Sequence, residues 1–272
     1  MNSSLVILDT ETATLMGAPH LLELGAIRVT DGEIEDQFES LVCPQVEIEA
    51  GATEIHGIRQ EDVRNAPLTG EVLKEFTAWA GESWLAAHNT GFDASVLAYE
   101  YARHHVTPPP GVFIDSLILA RKFIPESIDH KLLTLCQHLE LEEGPHHRAL
   151  SDAVYCWMVI EECMHRMGEA GDPSWIELAA LCGSPTSIDS AMPRVPSLKS
   201  KFRELERSLG SNSDEELTLL YGDTNSTPTS LGVRPRFLYQ RNKTGYLEAE
   251  CLRSNTLKTY RLDRVQKVLP RD

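Results

Sequence analysis

No apolar run in this chain is long enough to span a membrane, and its opening residues, Met1-Asn2-Ser3-Ser4, lack the basic stretch that begins a signal peptide. A cytoplasmic location without a membrane partner is therefore expected. Cysteine is sparse: six residues, at 43, 136, 156, 163, 182 and 251, form no CxxC pair and no dense framework. This excludes a disulfide scaffold and predicts reduced, mostly packed thiols. There is no internal repeat, which excludes a solenoid. Positive charge is also scarce, with 25 Lys+Arg against 41 Asp+Glu for a net of −16. Taken alone, that balance argues against a nucleic-acid partner. The 42% hydrophobic and 24% charged residues are those of an ordinary soluble globular protein, and 272 residues suffice for one large domain or two unequal ones.

The distribution of charge changes the picture. Residues 1–180 hold 10 Lys+Arg and 30 Asp+Glu, whereas residues 181–272 hold 15 and 11, and the last stretch, 231–272, holds 10 and 4. An acidic front suits cation binding and a basic end suits a phosphate backbone. A functionless drift of surface charge is the alternative that charge alone leaves open.

The opening third reads as a β-meander over residues 4–10, 21–30 and 33–42, with Asp31-Gly32 as a two-residue hairpin signal. Val72, Leu73, Phe76, Trp79 and Ala80 lie at helical spacing, residues 84–87 read as a short strand, and a helix is expected over 94–105. A further strand at 112–114 and helices near 116–123, 130–140, 149–168 and 174–182 complete an α/β class: a mixed β-sheet flanked by helices. The expected domains are 1–182, a linker with one short helix over 183–230, and a small basic β-rich tail over 231–272.

Within this frame, Asp9-Thr10-Glu11 closes the apolar run Leu5-Val6-Ile7-Leu8. Residues two apart on a strand share a face, so both carboxylates aim at one point. Like charges held together out of water need a cation. Asp93 lies in His88-Asn89-Thr90-Gly91-Phe92-Asp93, a strand-to-helix turn, where helix capping is the plain alternative. His147-Arg148-Ala149-Leu150-Ser151-Asp152 runs into an amphipathic helix, with Asp152 about a turn inside. Asp115, at a strand end, is read as a helix cap.

These three segments, with Ile55-His56-Gly57-Ile58 between the first two, resemble the DEDDh exonucleases, the DnaQ-like 3′→5′ nucleases of ribonuclease H-like fold, and the stretch around His147 is most similar to their exodeoxyribonuclease X branch. The resemblance covers residues 4–182, and a histidine five residues before Asp152 marks the histidine branch. It implies that Asp9, Glu11, Asp93 and Asp152 bind two divalent cations, Mg²⁺ or Mn²⁺, with Asp9 bridging and Asp93 acting directly or through water. It also implies His147 as the general base, His146 being a rival that matches less well. Thr10, Thr12, Leu15, Ile55, His56, Ile58, Asn89 and Phe92 would contact substrate, although an aromatic beside a catalytic turn is more often core. The implied partner is DNA, with RNA possible, and a homodimer is a further possibility.

The tail segments Tyr246-Leu247-Glu248-Ala249-Glu250-Cys251 and Thr259-Tyr260-Arg261-Leu262-Asp263-Arg264-Val265 resemble the closing part of WYL-type domains, over only the last 35 to 40 residues. Arg261 and Arg264 are the expected phosphate contacts, with pairing to the acidic front as the alternative. Two other functions stay open: RNA 3′-end trimming, and a sensor or adaptor that keeps the fold and binds nucleic acid or an effector. The complete acid and histidine set speaks against the latter.

Overall fold

Alternation along the first strand decides how the first part of the molecule is layered. The computed structural model describes residues 4–141, 148–168, 173–210, 214–222 and 227–271. In β1 (Leu5–Thr12), Leu5 and Ile7 enter one apolar cluster while Val6 and Leu8 enter another. Odd and even side chains thus go to opposite faces, both buried.

β1 pairs antiparallel with β2 (Leu21–Thr30), which pairs antiparallel with β3 (Glu33–Leu41). Asp31 and Gly32, with φ of 52° and 84°, make the tight turn between β2 and β3 that a right-twisted hairpin favours. Helices α1 (Ala50–His56), α2 (Gln60–Val63) and α3 (Thr69–Ala80) follow, then β4 (Trp84–Ala87), α4 (Gly91–His104) and β5 (Phe113–Asp115). β4 and β5 run parallel to β1, giving the mixed order β3-β2-β1-β4-β5. The unit continues through α5 (Ser116–Phe123), α6 (Leu132–His138), α7 (Ala149–Arg166) and α8 (Trp175–Leu181).

Phe76 of α3 with Leu97 and Tyr101 of α4 packs on the even face of β1, and Leu119 of α5 with Val159 and Ile160 of α7 packs on the odd face. The mixed sheet flanked by helices expected from the sequence is therefore present. Two local differences matter. α4 begins at Gly91, so Asp93 lies inside its first turn, and α1 and α2 are helices too short to carry a readable stripe.

The chain divides into two compact units, Met1–Met192 and Pro193–Asp272. The second contains α9 (Arg203–Gly210), β6 (Leu217–Tyr221), β7 (Thr229–Arg241), β8 (Thr244–Cys251), β9 (Thr256–Arg261) and β10 (Val265–Pro270), whose strands form an antiparallel sheet in the order β10-β6-β7-β8-β9. Phe202, Leu205, Leu217, Leu219, Val233 and Leu247 share its core. In the stretch 183–230, expected as a linker with one short helix, α9 is that helix, and β6 and the start of β7 lie there as well. The five residues of β6 alternate too briefly, between polar stretches, to announce a strand. All six cysteines are free. Among the described residues, no helix is long and apolar enough to cross a membrane.

Candidate active site

Asp9 and Glu11 continue the odd series of β1, so they face the α7 side at the end of the strand, where α7 carries Asp152 in its first turn. Carboxylate oxygens of Asp9, Glu11 and Asp152 all lie within 4.8 Å of one another. Thr10, an even position, donates its hydroxyl to Asp93 Oδ1 at 2.7 Å. Asp93 is buried and held by that bond beside the three-carboxylate group, close enough to act on Asp9 electrostatically.

Among the described residues, like charge dominates the electrostatics of this cluster. Burial first, then the neighbouring carboxylates of Asp93, Asp152, Glu11 and Glu23, pushes Asp9 well above the usual carboxylate range. Burial and Asp152 push Glu11 up to about 8. Burial also raises Asp93, an effect partly offset by the hydrogen bond from Thr10. Three oxygen donors at this spacing fit a hard divalent cation, which would neutralise the repulsion that the fold maintains.

Two features that sequence reasoning missed set the carboxylates in place, the first by letting α7 come this close and the second by fixing the turn before Asp93. Gly25 stands opposite Asp9 in the β1–β2 register, and a Cβ there would fall 2.1 Å from Leu150 N and 2.3 Å from Ala149 C. Only glycine lets the start of α7 lie on the sheet beside the carboxylates. Asp115 does more than cap α5 through the Leu117 and Ile118 amides. Its oxygens also accept from Asn89 N at 3.2 Å, Thr90 N at 3.1 Å and Thr90 Oγ1 at 2.9 Å, which fixes the turn that leads to Asp93.

The expected substrate contacts divide by exposure. Leu15, Ile55 and Phe92 are large apolar side chains left about half exposed. Leu15 Cδ1 lies 2.9 Å from where a Gly51 Cβ would be, and Ile55 is one turn further along α1, so the two share a surface strip. Thr10 and Thr12 are buried, the first on Asp93 and the second donating to Thr14 O at 3.0 Å. His56 is buried and accepts the Ile58 amide on Nδ1, while Ile58 packs with Ala13, Leu22 and Val63. Asn89 takes the left-handed φ of 66° that its turn demands. Thr10, Thr12, His56 and Ile58 are thus turned inward, Asn89 is exposed in its turn, and among the eight it is Leu15, Ile55 and Phe92 that offer open apolar surface. In the second unit, Arg261 is paired with Asp263 at 2.7 Å and Arg264 is exposed. His147 and its rival His146 lie outside the described residues.

A helix-flanked mixed sheet with a carboxylate cluster at the end of its first strand is the framework of a nuclease that works with divalent ions. Residues 6–159, more than half of the chain, match the RNase T exonuclease family model, and the protein belongs to this exonuclease family. Residues 204–270 match the WYL domain model, a longer stretch than the tail segments alone suggest. A DNA polymerase III PolC-type protein of Oceanobacillus iheyensis is 33% identical over 189 residues, covering 69% of this chain and 13% of that protein. Its Bacillus subtilis counterpart is 31% identical over 190 residues, again 69% of this chain and 13% of the relative. The chain thus spans a small part of the length of these relatives. Exonuclease X in complex with 5′ overhanging duplex DNA shares 29% identity at a TM-score of 0.53, over 66% of this chain and 99% of that one. The nuclease domain of 3′hExo, a DEDDh family member bound to rAMP, has the same ribonuclease H-like fold at 19% identity and a TM-score of 0.54, over 61% of this chain and 94% of that one.

Proposed function

We propose that this protein is a metal-dependent 3′→5′ exonuclease that removes nucleoside 5′-monophosphates from single-stranded or frayed DNA 3′ ends. The observation that carries this reading is the convergence of Asp9, Glu11 and Asp152 to within 4.8 Å on a scaffold 29% identical to exonuclease X. The polymerase relatives and the DNA in the exonuclease X complex favour DNA over RNA.

Asp9, Glu11 and Asp152 would hold one cation, Asp9 would be shared with a second, and Asp93 would act directly or through water. Mg²⁺ or Mn²⁺ bound there would acidify a water and offset the charge that builds on the phosphoryl oxygens. His147, whose role follows from the resemblance to the DEDDh exonucleases, would take the proton of the attacking water. The water oxygen bonds to phosphorus as the bond to the 3′ oxygen breaks, and that oxygen stays with the shortened strand. Leu15, Ile55 and Phe92 would support the terminal nucleotide with their exposed apolar surface. The basic second unit, including Arg264, would hold upstream phosphates and raise the local concentration of substrate.

The test is turnover of 3′-labelled DNA and RNA of matched sequence with Mn²⁺ and then EDTA. Release of labelled nucleotide from DNA that stops with chelator is expected. Undiminished cleavage in EDTA would refute the metal dependence, and preference for RNA would assign the protein to RNA 3′-end trimming. Binding without cleavage of either would favour the sensor or adaptor.

A further inference from the structure

Asp152 reaches the carboxylate cluster from the first turn of α7, so whatever fixes that turn fixes the ligand. Arg148 occupies the N-cap position but makes no side-chain capping hydrogen bond, and the amides of a helix start need acceptors. Glu23, on the neighbouring strand β2, supplies one: its Oε2 accepts from Ala149 N at 3.0 Å. The same carboxylate takes the Arg148 guanidinium through two nitrogens, with Nε at 2.9 Å and Nη2 at 2.7 Å from Oε1 and Nε at 3.3 Å from Oε2. The Glu23 side chain is 0% exposed and that of Arg148 is 43% exposed. The arginine therefore closes the carboxylate off from solvent.

The position of Glu23 is the informative part. It stands directly opposite Glu11 in the β1–β2 register, two residues from Gly25, which stands opposite Asp9. A buried carboxylate so placed repels the metal-binding acids and, without a counter-charge to occupy its oxygens, would compete with them for a cation. Arg148 engages it with charge-assisted, geometrically demanding hydrogen bonds.

We propose that Glu23 and Arg148 are positioning residues of the nuclease site: Glu23 anchors the first turn of α7, and Arg148 keeps Glu23 out of the coordination of the cation. Asp152 then meets Asp9 and Glu11 at a fixed spacing. The inference rests on the metal-dependent reading above and adds to it a second layer of control over cation affinity.

The experiment uses the full chain with E23Q, R148M, R148K and the double variant E23Q/R148M. Mn²⁺ affinity is measured by calorimetry without nucleic acid, kcat and KM on 3′-labelled DNA, and Tm by scanning. E23Q and R148M are expected to lose roughly 10- to 100-fold in Mn²⁺ affinity and kcat, the range for groups that orient metal ligands, with KM for DNA little changed. R148K, which keeps the charge but not the fork, should lie between R148M and wild type, and the double variant should be no worse than the worse single one. A purely structural pair would lower Tm and leave Mn²⁺ affinity and kcat at wild-type values, which would overturn the proposal. If E23Q and R148M do not fold, R148K decides: reduced Mn²⁺ affinity supports the role and wild-type affinity overturns it. Wild-type protein that neither binds Mn²⁺ nor cleaves would instead overturn the nuclease reading itself, a result visible without any variant.

Discussion

In the second unit Arg234 reaches Glu216 at 2.7 Å and Glu250 at 3.4 Å, Arg236 reaches Asp214 at 2.6 Å and Glu250 at 3.0 Å, and Arg271 reaches Glu216 at 3.5 Å. At the end of β1 the neighbours that weigh most on Asp9 are other carboxylates. The same residue types thus sit in opposite company. Where arginines answer the acids, as with Asp214, hydrogen bonding to Arg236 holds the carboxyl below its ordinary value, whereas Glu11 is pushed up to about 8. Acids paired with arginines hold a surface together, and acids crowded against other acids mark a candidate place for a cation. The Glu23–Arg148 pair lies on the boundary, an arginine-paired acid beside the crowded carboxylates.

This contrast predicts variants that behave in opposite ways. The largest effect is expected from Asp9→Asn or Asp152→Asn, which should lower kcat by on the order of 10³-fold or more, as loss of a core catalytic group does. For Asp9→Asn, the metal-free protein should at the same time gain thermal stability, because the cost of burying an acid among other carboxylates is gone. A lower Tm for metal-free Asp9→Asn would break the contrast. Next comes Gly25→Ala, whose Cβ would collide with the backbone of Ala149 and Leu150. It should destabilise by about 1–3 kcal/mol in denaturant titrations, as overpacking does, and should reduce activity by displacing α7.

The pH dependence of the metal-free protein sharpens the contrast further. Glu11 rises from 4.5 to about 8 on folding, so the folded state holds a proton that the unfolded chain releases. Its contribution is most favourable below pH 4.5 and is lost as pH climbs to about 8. Mn²⁺, which binds the ionised form, should restore Tm at the alkaline end. Asp214 and Asp263 are held low by hydrogen bonds from Arg236 and Arg261, so they act in the opposite sense: their contribution is present above 3.8 and lost as pH falls. Tm scans at several pH values, with and without Mn²⁺, separate the two. The smallest effect is expected for Glu216→Gln, a half-buried surface acid paired with Arg234 and Arg271, with a stability change within about 1 kcal/mol and unaltered kcat.

The layout of the first unit was legible because its signals are local. The run Leu5-Val6-Ile7-Leu8 into Asp9 and Glu11, the Asp31-Gly32 hairpin and the stripe of α3 each state their structure within a few residues. Asp9, Glu11 and Asp152 could be grouped because each sits in a motif with its own spacing. Gly25 and Glu23 carry no such signal, since a glycine and a glutamate inside an apolar strand acquire meaning only when β2 is set in register with β1 and α7 is laid across both. Thr10, Thr12, His56 and Ile58 were placed near the site by their motifs, but motif position does not say whether a side chain points at solvent or into the protein. β6 escaped notice because five residues between polar stretches give periodicity too little length.

Calorimetric titration of the metal-free protein with Mn²⁺ near neutral pH, repeated in buffers of different ionisation enthalpy and with Asp9→Asn alongside, tests the central claim most directly. The account predicts that wild type binds Mn²⁺ and releases protons on doing so, because raised carboxyl groups must ionise to become ligands, and that Asp9→Asn binds far more weakly. Binding of equal strength in both proteins, or none in wild type, would contradict it.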